Sequence, residues 1–193
     1  MADTSDIRKG LTIIWNNDLW TIIDFLHVKP GKGGAFVRTK LKNVRTGRVL
    51  DQTFRSGERI ETARIERHPH QFLYEDDLGM HFMNTETYEQ ITLPPDMVEG
   101  REFVKEGEIV DVLIHAETEQ PVRVELPKHV ELKVTHTEPG VRGDTATGAT
   151  KPAQLESGVT IQVPLFIEEG DIVRVDTTTG KYITRVSTAK AQS

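Results

Sequence analysis

The sequence has no cysteine in 193 residues. That absence removes disulfide frameworks, thiolate nucleophiles and cysteine-ligated zinc together, and it fits a reducing compartment. Aromatic residues are scarce, at 6%, so a nucleic-acid surface built on base-stacking platforms has little to draw on. No run approaches the roughly 18 apolar residues of a membrane helix. The start, Met1-Ala2-Asp3-Thr4-Ser5-Asp6, is acidic and lacks the basic-then-apolar pattern of a signal peptide. No stretch sustains a long 3.6-residue apolar period, so little helix is expected. Gly-x-Ser-x-Gly and His-Glu-x-x-His are both missing. These absences lead us to expect a cytoplasmic binding protein that is neither an enzyme nor a membrane protein and carries no cofactor or metal.

What is present is charge, unevenly placed. The net charge of −6 would ordinarily count against a nucleic-acid partner. Residues 1–65, however, hold 12 basic and 7 acidic side chains, and residues 66–129 hold 5 and 15. Residues 130–193 are nearly balanced, with 7 and 8. A basic head joined to an acidic middle behaves differently from a uniformly acidic protein, because steering depends on where charge sits.

Strand signals dominate. Residues 21–28, 35–44, 48–54, 122–126, 130–135, 159–167 and 172–175 are β-branched runs closed by Gly, Pro, Asn or Asp, with Arg45-Thr46-Gly47 as one turn. Such short strands predict an all-β protein made of small barrels. Phe103-Val104-Lys105-Glu106-Gly107-Glu108-Ile109-Val110-Asp111-Val112 returns 63 positions later as Phe166-Ile167-Glu168-Glu169-Gly170-Asp171-Ile172-Val173-Arg174-Val175. An echo at that interval predicts two barrels of one fold over 66–129 and 130–193, leaving 1–65 as a third domain. Residues 137–154, rich in Gly, Pro and Thr, read as one long loop, of a length that is either functional or disordered.

Lys29-Pro30-Gly31-Lys32-Gly33-Gly34 lies between two expected strands. Proline presets one backbone angle and the glycines permit positive φ, so the turn would hold Lys32 outward without neighbouring bulk. Read locally, this is either an ordinary turn with a solvated lysine, the commoner case, or a device that presents Lys32. It is no phosphate-cradling Walker loop, since Gly-Lys-Ser/Thr is absent. From Lys29 to Arg48 there are seven basic residues and no acidic one. Arg38, Lys40 and Lys42 alternate with Val37, Thr39 and Leu41, so the cations share one strand face. With Lys29 beside them, they suit a phosphate backbone.

Other candidates are weaker. His68-Pro69-His70 has no metal-ligand spacing and reads as a proline turn with surface histidines. Glu75-Asp76-Asp77 reads as a solvated hairpin tip and lacks calcium-loop spacing. Asp144 as a hydrolytic carboxylate has no partner nearby and fits a turn better. A general RNA-binding or RNA-chaperone protein is the alternative to a dedicated factor, but only Phe36 interleaves the basic strand.

Three groups of residues together resemble bacterial elongation factor P: Lys29-Pro30-Gly31-Lys32-Gly33-Gly34-Ala35; Gly140-Val141-Arg142-Gly143-Asp144-Thr145; and Lys151-Pro152-Ala153, Gly158, Val163-Pro164-Leu165-Phe166-Ile167 with Gly170. The resemblance spans essentially the whole chain. It implies an SH3-like (KOW-type) barrel followed by two OB-type barrels, in a monomeric factor that binds the ribosome between the peptidyl and exit tRNA sites. There it would relieve stalling at consecutive prolines by positioning peptidyl-tRNA. It further implies that Lys32 lies near the acceptor end of that tRNA and is the residue many members extend covalently, through a modifying enzyme. Members with arginine there carry a different modification, and a paralogous family departs at this loop, so Lys32 favours elongation factor P proper. By the same resemblance Gly143, Asp144 and Thr145 approach messenger RNA at the exit site, Tyr182 and Arg185 lie near the anticodon arm, and rRNA and ribosomal proteins are partners.

Overall fold

The computed structural model describes residues 2–140 and 148–192. The first sheet has six strands: β1 (Ala2–Asp3), β2 (Thr12–Trp15), β3 (Asp18–Val28), β4 (Phe36–Asn43), β5 (Val49–Arg55) and β6 (Arg59–Thr62). They lie in the order β1-β6-β2-β3-β4-β5. Asn16 and Asn17 join β2 to β3 with φ of 51° and 59°, the two-residue hairpin geometry that asparagine tolerates better than most side chains. Ile13, Trp20, Ile22, Val37, Leu41, Phe54 and Ile60 form the core. Ile22, Val37 and Leu41 are fully buried, and each contributes about 1.5–3 kcal/mol relative to exposure. This rigid β3–β4 ribbon carries the lysine loop at its end.

The second sheet contains β7 (Ile65–Asp76), β8 (Gly79–Asn84), β9 (Gln90–Leu93), β10 (Ile109–His115) and β11 (Gln120–Glu125), in the order β11-β10-β7-β8-β9. The third contains β12 (His129–Thr137), β13 (Thr150–Leu155), β14 (Thr160–Pro164), β15 (Ile172–Asp176) and β16 (Tyr182–Ser187), in the order β14-β13-β12-β15-β16. Numbered within each sheet, the two orders are the same. The sequence echo falls at corresponding places. Gly107 N–H donates to Phe72 O and Phe72 N–H to Glu108 O, both at 2.8 Å. Gly170 N–H donates to Val134 O and Val134 N–H to Asp171 O, again at 2.8 Å. Gly107 and Gly170 adopt φ of 89° and 90°, a region that disfavours side chains.

The echo fails at its first residue. Phe103 is buried and joins the core of the third sheet beside Leu132, Leu155, Ile161 and Val173, whereas Phe166 is 56% exposed. In space the chain gathers into two compact units, Met1–His68 with Val112–Arg123, and Pro69–Asp111 with Val124–Ser193.

Two sequence expectations are corrected. Residues 68–70 are no turn but part of the continuous strand β7, and His70 is buried. Pro69 is tolerated because the β7–β8 ladder begins one residue later, at His70↔Asn84. The presumed loop 137–154 is also shorter. β12 runs through Thr137 and β13 starts at Thr150, with Lys151, Ala153 and Leu155 facing inward in strict alternation. Its composition hid a strand that pairs with β12 only from Ala153 onward, clear of Pro152.

Candidate nucleic-acid interface

The ladder between β3 and β4 ends at Val28↔Phe36, and residues 29–35 cross between the strands. Lys29, Pro30, Gly31, Lys32, Gly33 and Gly34 are all exposed. Gly33 has φ of 94°, so its backbone calls for glycine. Gly31 and Gly34 have no positive φ, and a Cβ at either would meet nothing within 4 Å. Neither crowding nor conformation in this chain demands them; they leave the tip around Lys32 without bulk.

The β4 alternation is as expected: Arg38, Lys40 and Lys42 are exposed, and Val37, Thr39 and Leu41 are buried. Thr39 buries its hydroxyl by donating to Gln52 O at 2.6 Å. The face as a whole, however, is mixed. Lys40 stands directly opposite Asp24 on β3 and Asp51 on β5, and all three are exposed. Arg38 lies opposite Leu26 and Thr53 and covers the Phe36 ring at 5.6 Å; Lys42 lies opposite Thr21 and Val49. The acid-free strand therefore acquires two carboxylates from its neighbours.

Arg45, another of the seven basic residues, is committed to the fold. Its Nε and Nη2 donate to Asp18, which also accepts from Asn43 Nδ2 and Leu19 N–H. Burial pushes the Asp18 carboxyl up, but the hydrogen bonds from Arg45, Asn43 and Leu19, with the Arg45 charge, outweigh it and hold the group below its ordinary range. Asn43 Oδ1 accepts from the Arg45 and Thr46 amides, fixing the turn into β5.

On the third sheet, Tyr182 and Arg185 both lie on β16. Arg185 is gripped on two sides: its guanidinium lies 5.0 Å from the Phe166 ring centroid and 3.6 Å from Asp171, which is 1% exposed. Asp171 also accepts from the Glu168 and Ala189 amides. Tyr182 packs against the core, and burial pushes its phenol up, opposed by the Arg185 charge. Phe166 and Asp171 were not singled out from sequence as supports for Arg185, because no local spacing links them to it. Gly143, Asp144 and Thr145 lie outside the described residues. Among the described residues on either side, buried Lys151 Nζ donates to Glu138 O and Thr137 Oγ1 donates to Pro152 O at 2.8 Å. His136 lies between Glu138 and Glu169 at 3.4 and 3.0 Å. Among the described residues no group of His, Asp and Glu is placed to hold a metal ion, and no helix is long and apolar enough to cross a membrane.

Comparison with known proteins addresses the whole chain. Residues 3–60 match the elongation factor P KOW-like domain, 65–124 its OB domain and 130–185 its C-terminal domain. Elongation factor P of Salinibacter ruber is 62% identical over 189 residues, 98% of each chain. The chain belongs to the elongation factor P family. Elongation factor P of Amoebophilus asiaticus is 57% identical over 97% of this chain and 99% of its own, and that of Moorella thermoacetica is 53% identical over 96% and 100%. Among solved structures, eukaryotic translation initiation factor 5A from Methanococcus jannaschii shares the fold with a TM-score of 0.50 and 22% identity, over 64% of this chain and 92% of its own. The all-β architecture, with a KOW-like domain followed by OB domains, is that of elongation factor P.

Proposed function

We propose that this elongation factor P family member binds the ribosome between the peptidyl and exit tRNA sites and promotes peptide-bond formation at consecutive prolines by positioning peptidyl-tRNA. The observation that carries the proposal is Lys32, exposed at the end of a rigid hairpin beside Gly31 and Gly34, which neither packing nor backbone conformation in this chain demands. Proline reacts slowly in peptide-bond formation, and a loosely held acceptor end adds an orientational cost. Holding that end lowers the barrier with no covalent step by the factor. In this scheme Lys32 meets the acceptor end, directly or through an extension added by a modifying enzyme. Lys29, Arg38 and Lys42 contact tRNA phosphates, which position without reading sequence. Arg185, held by Phe166 and Asp171, and Tyr182 lie against the anticodon arm, and the Gly143-Asp144-Thr145 loop lies toward the exit-site codon. The domains are taken as 1–65, 66–129 and 130–193, acting as a cytoplasmic monomer.

The decisive test is Lys32→Ala. An exposed side chain without packing contributes little to stability, so the variant should keep the parent's thermal midpoint and ribosome binding. It should fail to relieve stalling on a polyproline reporter. Full reporter activity would remove Lys32 from the mechanism. The intact mass of the native protein, with modified residues mapped, tells whether the working group is lysine or an extension of it.

A further inference from the structure

Within the first compact unit a second cationic feature lies beside the end of β4 that is remote from the lysine loop, where Thr21 stands opposite Lys42. A cleft of about 610 Å³ is lined by Arg8, Arg64 and Arg67, with Thr12, Thr21 and Glu117. Its walls are pinned by backbone. Gly10 N–H donates to Ile22 O at 2.8 Å beside Arg8, Ala63 N–H to Thr12 O at 2.9 Å, and Ala116 N–H to Arg64 O at 2.9 Å. Thr12 and Thr21 pair their hydroxyls at 3.2 Å. Arg64 also reaches Glu66 at 3.2 Å. All three arginines are exposed.

The contrast with β4 matters. There a single central lysine faces two carboxylates across the strands; here three guanidinium groups share a cleft with Glu117 in its lining and Glu66 on Arg64. Every cation here is arginine, whose planar fork engages a phosphate through two parallel hydrogen bonds where lysine offers a point charge. Thr12 is buried and its hydroxyl pairs with that of Thr21, so the pair keeps one proton to donate, of the kind that contacts phosphate and ribose oxygens. We infer that this cleft is a separate RNA-backbone phosphate site, so that the factor holds its RNA partner through Arg8, Arg64 and Arg67 as well as through the β3–β4 ribbon. The inference rests on the proposal that the chain works on ribosome-bound RNA.

The test uses the full chain and ribosomes carrying a peptidyl-site tRNA, titrated from 50 to 200 mM monovalent salt. Arg8→Gln, Arg64→Gln and Arg67→Gln, singly and together, should weaken binding, and each should flatten the slope of log affinity against log salt by roughly 0.7–0.9. Glu117→Gln should strengthen binding, a gain that misfolding cannot produce. A tethered iron chelate on Arg64→Cys should cut RNA backbone nearby. Parent-like affinity and slope in the triple variant would overturn the site. So would a chelate at position 64 that cuts ribosomal protein and leaves RNA intact, which would assign the cleft to a carboxylate partner. These outcomes are separable from failure of the proposed function, since Lys32→Ala reports on activity while leaving the arginines intact.

Discussion

Asp24 and Asp51 should restrain nucleic-acid binding by the β4 face, and removing them should increase it. Lys40 lies directly across from both. Such cross-strand neighbours have Cβ atoms about 4.5–5.5 Å apart. Neither carboxylate pairs with Lys40 as closely as Asp24 does with Lys9, so at about 5 Å or more in a water-like dielectric each attracts the ammonium by at most about 0.8 kcal/mol, comparable to one phosphate at that distance. A phosphate approaching Lys40 therefore competes with two charges already there and is itself repelled by them. Asp24→Asn with Asp51→Asn keeps shape and frees the lysine. The expected gain is about 1 kcal/mol, roughly fivefold in affinity at low salt, with a salt slope steeper by about 0.7–0.9 for one added phosphate contact. Asp24 would give up its 3.8 Å pairing with Lys9, an exposed contact worth about 0–1 kcal/mol of stability. The assay is equilibrium binding to tRNA-carrying ribosomes from 50 to 200 mM salt. Adding Lys40→Gln to the double variant should abolish the gain. An unchanged affinity and slope in the double variant would refute the assignment of this face to phosphate.

Gly33→Ala should cost about 1 kcal/mol at its positive φ, whereas Gly34→Ala should leave the thermal midpoint at the parent value, with nothing near its Cβ. Asp18→Asn should destabilise the first domain by about 1 kcal/mol at pH 7. Because the folded carboxyl titrates below its unfolded value, that contribution is complete above about pH 4 and fades as the pH falls further. Urea titrations of parent and variant should therefore differ at pH 7 and converge in acid; a constant difference would show that the charge of Asp18 is not what stabilises the turn. Gly170→Ala would place a Cβ 2.8 Å from that of Ala189 at φ of 90°, so unfolding should be easier by about 2 kcal/mol or more. A second change, Ala189→Gly, should recover the steric part alone.

Much of the fold was legible because its signals are local. Alternation placed Val37, Thr39 and Leu41 inside, and the 63-residue echo falls where two sheets of one strand order repeat the same backbone hydrogen bonds. What escaped was overridden by pairing. Pro69 and Pro152 looked like breaks because proline lacks an N–H, yet each lies just outside one neighbour's ladder, where that donor is not required. The β2–β3 hairpin had its signal in Asn16-Asn17, two residues suited to positive φ, but Thr12–Trp15 is short enough to be passed over. Phe103 and Phe166 occupy equivalent places in the echo and differ because burial is decided by which elements pack over a residue, and periodicity carries no information on that.

The site divides along the same line. The exposure of Lys32 at a loop tip was readable because a tip is made by consecutive residues, among which Pro30 and Gly33 bear directly on its conformation. The charge of a sheet face cannot be read from one strand, since half of what a side chain meets comes from strands remote in sequence. Between Lys29 and Arg48 there is no acid, yet Lys40 meets Asp24 and Asp51, Arg45 is spent on Asp18, and the three-arginine cleft joins residues 8, 64 and 67, which share no period. The basic head inferred from composition is real in amount but misplaced if assigned to β4 alone. Its cations divide among a bare loop tip, a partly neutralised strand face, a structural turn and a cleft. Variants that remove one group at a time therefore test the proposed grip on RNA separately from the proposed role of Lys32, which net charge cannot do.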